Sequence, residues 1–213
     1  MRTFSCDIET DGLNPTVVWC VAVQDVVSKQ VITFSETTLG LFKPWLVSEV
    51  DCLIFHNGIS FDVPILEELL DIDFSNIEIE DTLVMSQLYK PSIDGGHSLD
   101  KWGERLEFSK GVHTDWSCFS QEMLDYCIID TKLTTKLYKY LTNNNLSEDA
   151  KNLEYEIKRH CSLQERTGWY FDLKNATSIL QDLTEDLRRT EEEVRKTFTP
   201  LAVWKSKKPV SNR

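Results

Sequence analysis

The chain has 213 residues, of which 41% are hydrophobic and 27% are charged; this composition is typical of a globular protein and excludes a largely disordered one. Its net charge of −12 argues against tight, processive binding of duplex DNA by this chain alone, because proteins that grip phosphates are usually basic. No apolar run approaches the roughly 18 residues of a membrane span, and the N-terminus lacks an apolar signal region. We therefore expect a cytoplasmic protein without a membrane partner.

The N-terminal part of the sequence shows the alternation of β-strands. Residues 3–9 place apolar side chains on one face and the carboxylates of Asp7 and Glu9 on the other. Residues 17–27 and 31–34 predict two further strands, separated by turn-forming residues. We expect these three strands to form an antiparallel meander.

The remaining chain alternates helical and strand patterns. The predicted elements are a helix over 38–50 interrupted near Pro44, a buried strand over 52–55, a helix over 61–70, a short strand over 77–79, a helix capped by Asp81, helices over 97–108 and 120–141, and helices from 147 onward with a break at 167–168. This order predicts an α/β fold in which a mixed sheet is flanked by helices. It is the order of the ribonuclease H-like fold, followed here by a C-terminal helical extension.

Asp7 and Glu9 form the first candidate site. Residues two apart on a strand project from one face with backbones about 6–7 Å apart, so the two carboxylates repel each other unless a cation lies between them. Hard oxygen ligands suit Mg²⁺ or Mn²⁺. The scattered histidines and cysteines have no zinc-ligand spacing. A bare Asp-x-Glu pair is, however, most often two solvated acids at a strand end.

Two later segments carry further candidate residues. Asn57, Phe61 and Asp62 follow the buried strand and open a helix, where backbone N–H groups favour anions such as phosphate. Asp62 taken alone is better explained as a simple helix cap. Tyr126 and Asp130 are one turn apart on the long helix and share a face. Each pattern is common by itself, and only their combination is specific.

Taken in chain order, the three patterns resemble the Exo I, Exo II and Exo III motifs of DEDD-type 3′–5′ exonucleases. Tyr126 is typical of the DEDDy subgroup, whereas the DEDDh subgroup would carry histidine in place of Asp125. Consecutive blocks between residues 3 and 141, among them DIETDGLN and IFHNGISFDVPIL, are similar to the proofreading domain of bacteriophage family A DNA polymerases. The later segment ERTGWYFDLKNATSILQDL resembles the entry to the thumb of those polymerases.

The resemblance implies three regions in this chain. Residues 1–145 would form the exonuclease domain, residues 146–200 a helical extension, and residues 201–213 a basic, flexible tail. The palm and fingers motifs of the polymerase family have no counterpart after the extension. The chain would therefore be an exonuclease part alone, either the product of a split polymerase gene, a free-standing exonuclease or a shortened piece of a longer protein, with a separately encoded polymerase as a possible partner.

The resemblance also implies a chemistry, in which two divalent cations, Mg²⁺ or Mn²⁺, assist hydrolysis of DNA from its 3′ end. Asp7 would bridge both ions, and Asp62 would hold the second of them. Glu9 and Asp130 would complete the ion that activates water, and Glu9 would also meet the terminal 3′-hydroxyl. Tyr126 would orient the attacking water, since a phenol is a poor base at neutral pH.

The expected substrate is a single-stranded or frayed 3′ end, because a paired terminus must first unstack. Leu13 matches a family position that wedges between terminal bases, and Phe61 is a candidate for stacking on the frayed end. Asn57 is a candidate phosphate contact, and Thr10 is a further predicted substrate contact. Such contacts read no sequence, so degradation should be nearly independent of sequence.

Several aromatic and imidazole side chains have simpler interpretations. We interpret His56 and His97 as structural residues. Trp102 and Trp116 are interpreted as core residues rather than platforms for base stacking, since aromatic side chains are usually buried.

Three alternative functions share features of this sequence. The segment DIET superficially resembles the Asp-x-Asp-x-Thr of haloacid-dehalogenase phosphatases, but Glu9 fits that pattern poorly. An RNA exonuclease of the ribonuclease D type would share all four acids. A non-catalytic module that binds a separately encoded polymerase is the alternative from another class, and the presence of the four acids with Tyr126 argues against it.

Overall fold

The computed structural model describes residues 1–108, 111 and 113–198. The strands are β1 (Thr3–Thr10), β2 (Val18–Asp25), β3 (Val31–Ser35), β4 (Cys52–Phe55) and β5 (Glu78–Asp81). The helices are α1 (Phe42–Glu49), α2 (Asp62–Leu70), α3 (Thr82–Tyr89), α4 (Leu99–Arg105), α5 (Gln121–Thr142), α6 (Glu148–Thr167) and α7 (Leu173–Thr197). Within these described ranges, no helix is long and apolar enough to cross a membrane.

The five strands form one mixed sheet in the order β3-β2-β1-β4-β5. β1, β2 and β3 pair antiparallel, as the predicted meander requires, whereas β4 pairs parallel with both β1 and β5. The predicted mixed α/β sheet of the ribonuclease H-like type is confirmed. β1 lies in the middle, so its side chains are covered from both faces and their positions are closely defined.

The two faces of β1 are packed in different ways. On one face Phe4 meets Trp45 of α1 edge to face, with ring centroids 5.1 Å apart. On the other face the buried hydroxyl of Ser5 donates a hydrogen bond of 3.0 Å to the carbonyl oxygen of Thr131 on α5. Because successive strand residues alternate in direction, Asp7 and Glu9 share the face of Ser5 and project on the α5 side.

The helix predicted over 38–50 differs in detail from the observed one. A 3₁₀ helix runs over Glu36–Leu41, and α1 begins only at Phe42. The predicted interruption near Pro44 is therefore wrong, since the break precedes it. Proline is tolerated in the first turn of a helix because the N–H that it lacks has no intrahelical partner there.

The chain divides into two compact units, Met1–Thr167 and a second unit from Gly168 onward. Gly168, with φ of +65°, lies at the predicted break between the last two helices. The predicted domain boundary after residue 145 lies inside the first unit, between α5 and α6. The predicted flexible tail, residues 201–213, lies outside the described residues.

Candidate active site

β1 brings two carboxylates together at the sheet face covered by α5. Asp7 is half-buried and Glu9 is 7% exposed. Their carboxylate oxygens and the thiol of Cys127 lie within 4.8 Å of one another. The thiol of Cys127 donates to the backbone carbonyl of Asp7 at 3.3 Å, which ties α5 directly to the strand that carries both acids.

α5 presents the third predicted acid and the predicted tyrosine. Asp130 is 6% exposed, and Tyr126 lies one turn earlier and is partly buried. The hydroxyl of Thr131 donates to the carbonyl of Ala22 on β2 at 3.2 Å, so the helix is fastened to the sheet next to Asp130. The part of α5 that carries Tyr126 and Asp130 is thus held against the sheet by buried polar contacts.

Asp62 is the first residue of α2 and only 5% of it is exposed. Its pKa is raised from 3.8 to about 7, chiefly by burial and also by the charge of Asp81, while backbone hydrogen bonds, one of them from Ile8, oppose the rise. The predicted helix-start position is therefore observed, but the carboxylate is buried towards β1 instead of being a solvated cap.

The pKa of Asp7 is raised well above its ordinary value, first by burial and then by the charges of Glu9, Asp130 and Asp62. Glu9, Asp130 and Asp62 thus each act electrostatically on Asp7, although the four acids come from three elements. Such repulsion is relieved by a cation, and a set of carboxylate oxygens is the donor set that Mg²⁺ or Mn²⁺ prefers. The residues present therefore fit a divalent-metal site.

An apolar cleft of about 320 Å³ adjoins the acids. Its lining comprises Ile8, Glu9, Thr10, Gly12, Leu13, Phe61 and Trp116. Three of the four predicted substrate contacts, Thr10, Leu13 and Phe61, therefore lie together on one cleft that begins at Glu9. Leu13 is 88% exposed, so its side chain is available to a ligand. The Thr10 hydroxyl donates to the carbonyl of Gly12 at 2.9 Å and stabilises the turn that carries Leu13.

Trp116 is a residue of this cleft that the sequence interpretation assigned to the core. It packs partly against the cluster formed by α5 and β2, but it is partly exposed and lines the cleft. Its ring lies edge to face with Tyr126 at 6.0 Å and with His113 at 4.7 Å. The core interpretation is wrong in part for Trp116 and confirmed for Trp102, which is 2% exposed.

Asn57, the fourth predicted substrate contact, lies outside that cleft lining. It has φ of +69° and lines a separate opening together with His56 and His97. His56 shares a hydrogen bond of 2.9 Å with Thr82, and His97 shares one of 2.9 Å with the hydroxyl of Ser86. The structural roles predicted for both histidines agree with these contacts.

Asp81 has two roles, of which the sequence indicated one. Its carboxylate accepts from the backbone N–H groups of Leu83 and Val84, which confirms the predicted cap of α3. The same carboxylate also accepts from the N–H groups of Asn57 at 2.9 Å and Ile59 at 3.1 Å. The cap residue therefore also holds the loop that leads to Asp62.

The raised pKa of Asp62 predicts how stability depends on pH without metal. The folded state keeps a proton that the unfolded chain releases, so the free energy of unfolding in EDTA should fall as the pH rises from about 4 to about 7. Asp62→Asn should reduce this decline, leaving the part contributed by Asp7. Urea unfolding at pH 5 to 8 measures the effect.

Asp71→Asn is the matched control, because the pKa of that exposed acid is lowered by Lys43 and its contribution changes only in more acidic solution. A stability that rises between pH 5 and 7, or an Asp62→Asn variant with the full wild-type slope, would contradict the assignment.

A family model described as 3′–5′ exonuclease matches residues 1–145. Among curated proteins, the DNA-directed DNA polymerase of Escherichia phage T7 is 25% identical over 264 residues, covering 93% of this chain and 37% of the relative. The corresponding polymerase of Enterobacteria phage T3 is 25% identical over 251 residues, covering 87% of this chain and 35% of the relative. The chain thus spans about a third of the length of these relatives.

Solved structures share the fold. NrnC of Brucella melitensis with bound Mg²⁺ has a TM-score of 0.59 at 21% identity, covering 81% of this chain and 90% of that chain. The family B DNA polymerase of the archaeon Pyrobaculum calidifontis has a TM-score of 0.53 at 16% identity, covering 67% of this chain and 24% of that chain. The predicted resemblance to the exonuclease domain of bacteriophage polymerases is confirmed by the matched region and the two phage relatives, and the chain belongs to the 3′–5′ exonuclease family.

Proposed function

We propose that this protein is a metal-dependent exonuclease of the proofreading type that shortens DNA from single-stranded or frayed 3′ ends and releases nucleoside monophosphates. The observation that carries the proposal is the cluster at β1 and α5, in which the carboxylate oxygens of Asp7 and Glu9 and the thiol of Cys127 lie within 4.8 Å of one another. The charges of Asp130 and Asp62 also act on Asp7 and help to raise its pKa. Four interacting acids beside an apolar cleft suit a phosphodiester hydrolase that binds a chain end. Membership of the 3′–5′ exonuclease family supports the direction of cleavage.

The proposal includes two divalent cations, Mg²⁺ or Mn²⁺, held by the four acids. Asp7 contributes to both positions, with Glu9 and Asp130 completing one and Asp62 the other. When bound, such a pair of ions supplies an activated water and stabilises the departing 3′ oxygen. NrnC of Brucella melitensis, which shares this fold, was solved with Mg²⁺ bound.

In this proposal the protein's own side chains orient the reactants. Tyr126 lies one turn before Asp130 on α5 and directs its hydroxyl to the attacking water. Leu13, Phe61 and Trp116 present apolar surface on which the terminal bases stack, which separates the last nucleotides without reading their sequence. Stacking rather than phosphate binding also suits a chain with a net charge of −12.

A partnership with a DNA polymerase is part of the same proposal, and it is supported by the two phage relatives, which are both DNA polymerases. A polymerase that holds the duplex would supply affinity for DNA that an acidic nuclease lacks. The competing functions are an RNA exonuclease and a non-catalytic module. Hydrolysis of labelled DNA and of RNA, measured in parallel, distinguishes them.

The test of function uses single-stranded DNA labelled at its 5′ end, with Mg²⁺ or Mn²⁺, and RNA of the same sequence in parallel. Cleavage from the 3′ end gives a ladder of shortened labelled products, and EDTA should abolish it. Asp7→Asn, Glu9→Gln, Asp62→Asn and Asp130→Asn should each lower kcat by at least about 1,000-fold, because each removes a cation ligand. Asp71→Asn, an exposed acid on α2's end, is the control and should keep full activity.

Each other outcome of this experiment assigns a different function. Faster hydrolysis of RNA than of DNA would favour the ribonuclease D type. A folded protein that degrades neither substrate would favour the non-catalytic module. Full activity in Asp7→Asn would show that the carboxylate cluster is not the reaction centre.

Tyr126→Phe tests the positioning of the water. We expect kcat to fall about 10- to 100-fold, because the water loses one orienting hydrogen bond, while the affinity for Mn²⁺ is kept. Calorimetric titration with Mn²⁺ beside single-turnover kinetics measures both quantities. Loss of metal binding in the variant would contradict a role in orientation.

Trp116→Ala tests the apolar wall of the cleft. Loss of one stacking surface should raise the KM for single-stranded DNA roughly 5- to 100-fold with little change in kcat. Trp116→Phe keeps an aromatic face and should retain most of the affinity. An unchanged KM in Trp116→Ala would remove Trp116 from the substrate site.

A further inference from the structure

A buried polar cluster fastens α6 to the edge strand β5. The ammonium group of Lys151 lies 2.7 Å from one carboxylate oxygen of Glu80, and the hydroxyl of Tyr155 donates to the other oxygen at 2.7 Å. The side chains of Lys151 and Glu80 are 6% and 7% exposed, respectively. Because each partner is buried, removal of one would leave an uncompensated polar group, so the helix is held in one register on the strand.

The charges within this cluster are compensated. Burial alone would lower the pKa of Lys151, but hydrogen bonds and charge interactions with Glu80 and Glu148 raise it overall. Burial, followed by the charge of Glu80, raises the pKa of Tyr155 far above its ordinary value, which keeps its hydroxyl neutral. A neutral hydroxyl both donates and accepts, and Tyr155 uses both capacities.

The accepting side of that hydroxyl connects to Asp81. The backbone N–H of Asp81 donates to the Tyr155 oxygen at 3.1 Å. Among the described strands β5 lies at the edge of the sheet, so none of them bonds to this N–H on its outer side. The tyrosine of α6 therefore takes the place of a strand partner at the last residue of β5.

Asp81 in turn holds the loop between β4 and α2. Its carboxylate accepts from the N–H groups of Asn57 and Ile59, at 2.9 and 3.1 Å. Between them, Gly58 approaches Phe55 so closely that a Cβ would lie 2.2 Å from the Phe55 Cβ. This tight loop ends at Asp62, the first residue of α2.

We propose that Tyr155 is a positioning residue for Asp62, acting through Asp81 and the loop at residues 57–61. The proposal rests on the proposed function in that Asp62 is taken as a catalytic carboxylate. α6 lies beyond residue 145, where the family match ends, so the working nuclease extends through Thr167. α6 thus helps to position Asp62, although this helix follows the region that the family model matches.

Tyr155→Phe in the full-length chain tests the relay, because it removes only the hydroxyl. We expect faster amide hydrogen exchange in a peptide covering residues 56–62, a roughly 10-fold weaker affinity for Mn²⁺, and a roughly 10-fold lower kcat with an unchanged KM for DNA. Asp81→Asn, which replaces one accepting oxygen by an amide group, should give larger changes of the same kind. Tyr140→Phe is the control, because the hydroxyl of Tyr140 lies on the exposed side of α5 and is hydrogen-bonded to the hydroxyl of Tyr89 on α3.

The outcomes separate this proposal from the proposed function. If the wild-type protein hydrolyses nothing, the proposed function fails, and faster exchange at residues 56–62 in Tyr155→Phe still supports the relay. Unchanged exchange there overturns the relay even if kcat falls. Circular dichroism measures the folded fraction of each variant, so that kcat can be given per folded molecule. A purely structural residue would change activity only by changing the folded fraction. An unchanged kcat per folded molecule in Tyr155→Phe therefore overturns the positioning role.

Discussion

The convergence of like charges beside β1 is the constraint on which the rest of this structure depends. Asp7 and Glu9 come from the central strand, Asp62 from the start of α2 and Asp130 from α5. Burial and the charges of the other three acids raise the pKa of Asp7 and so disfavour its ionised form. Carboxylates stay together under such repulsion only if their backbones are fixed by contacts elsewhere. The fold supplies these contacts on both sides of the cluster.

One set of contacts lies between α5 and the sheet and consists of small polar side chains. The hydroxyl of Ser5 bonds to the carbonyl of Thr131 and contacts the hydroxyl of Thr135 at 2.5 Å, and Cys127 bonds to the carbonyl of Asp7. Small residues allow the helix to approach the strand closely, and their hydrogen bonds define its rotation. That rotation brings Asp130 close enough to β1 for its charge to act on Asp7. The second set runs from α6 through Asp81 to the loop before Asp62.

The site combines an acidic floor with an apolar wall. The floor suits cations and the phosphodiester between them, whereas the wall of Leu13, Phe61 and Trp116 suits unstacked bases. The two parts come from different elements, so under the proposed function a chain end would have to meet both to be aligned for hydrolysis. This division agrees with the proposed recognition of a chain end by an acidic protein.

The sequence by itself determined the elements, the mixed sheet and the membership of the exonuclease family, because strand alternation, helical spacing and motif order are local properties. The same local patterns predicted the four acids and Tyr126 as candidate site residues. The place of Trp116 in the cleft lining was missed, because its segment has no periodicity and only packing against α5 directs it to the cleft. The partnership of Glu80 with Lys151 and Tyr155 joins residues more than 70 positions apart, and the second role of Asp81 depends on a loop 22 to 24 positions earlier. Tertiary structure alone decided these contacts, since a buried polar group takes whichever partner the packing brings within hydrogen-bonding distance.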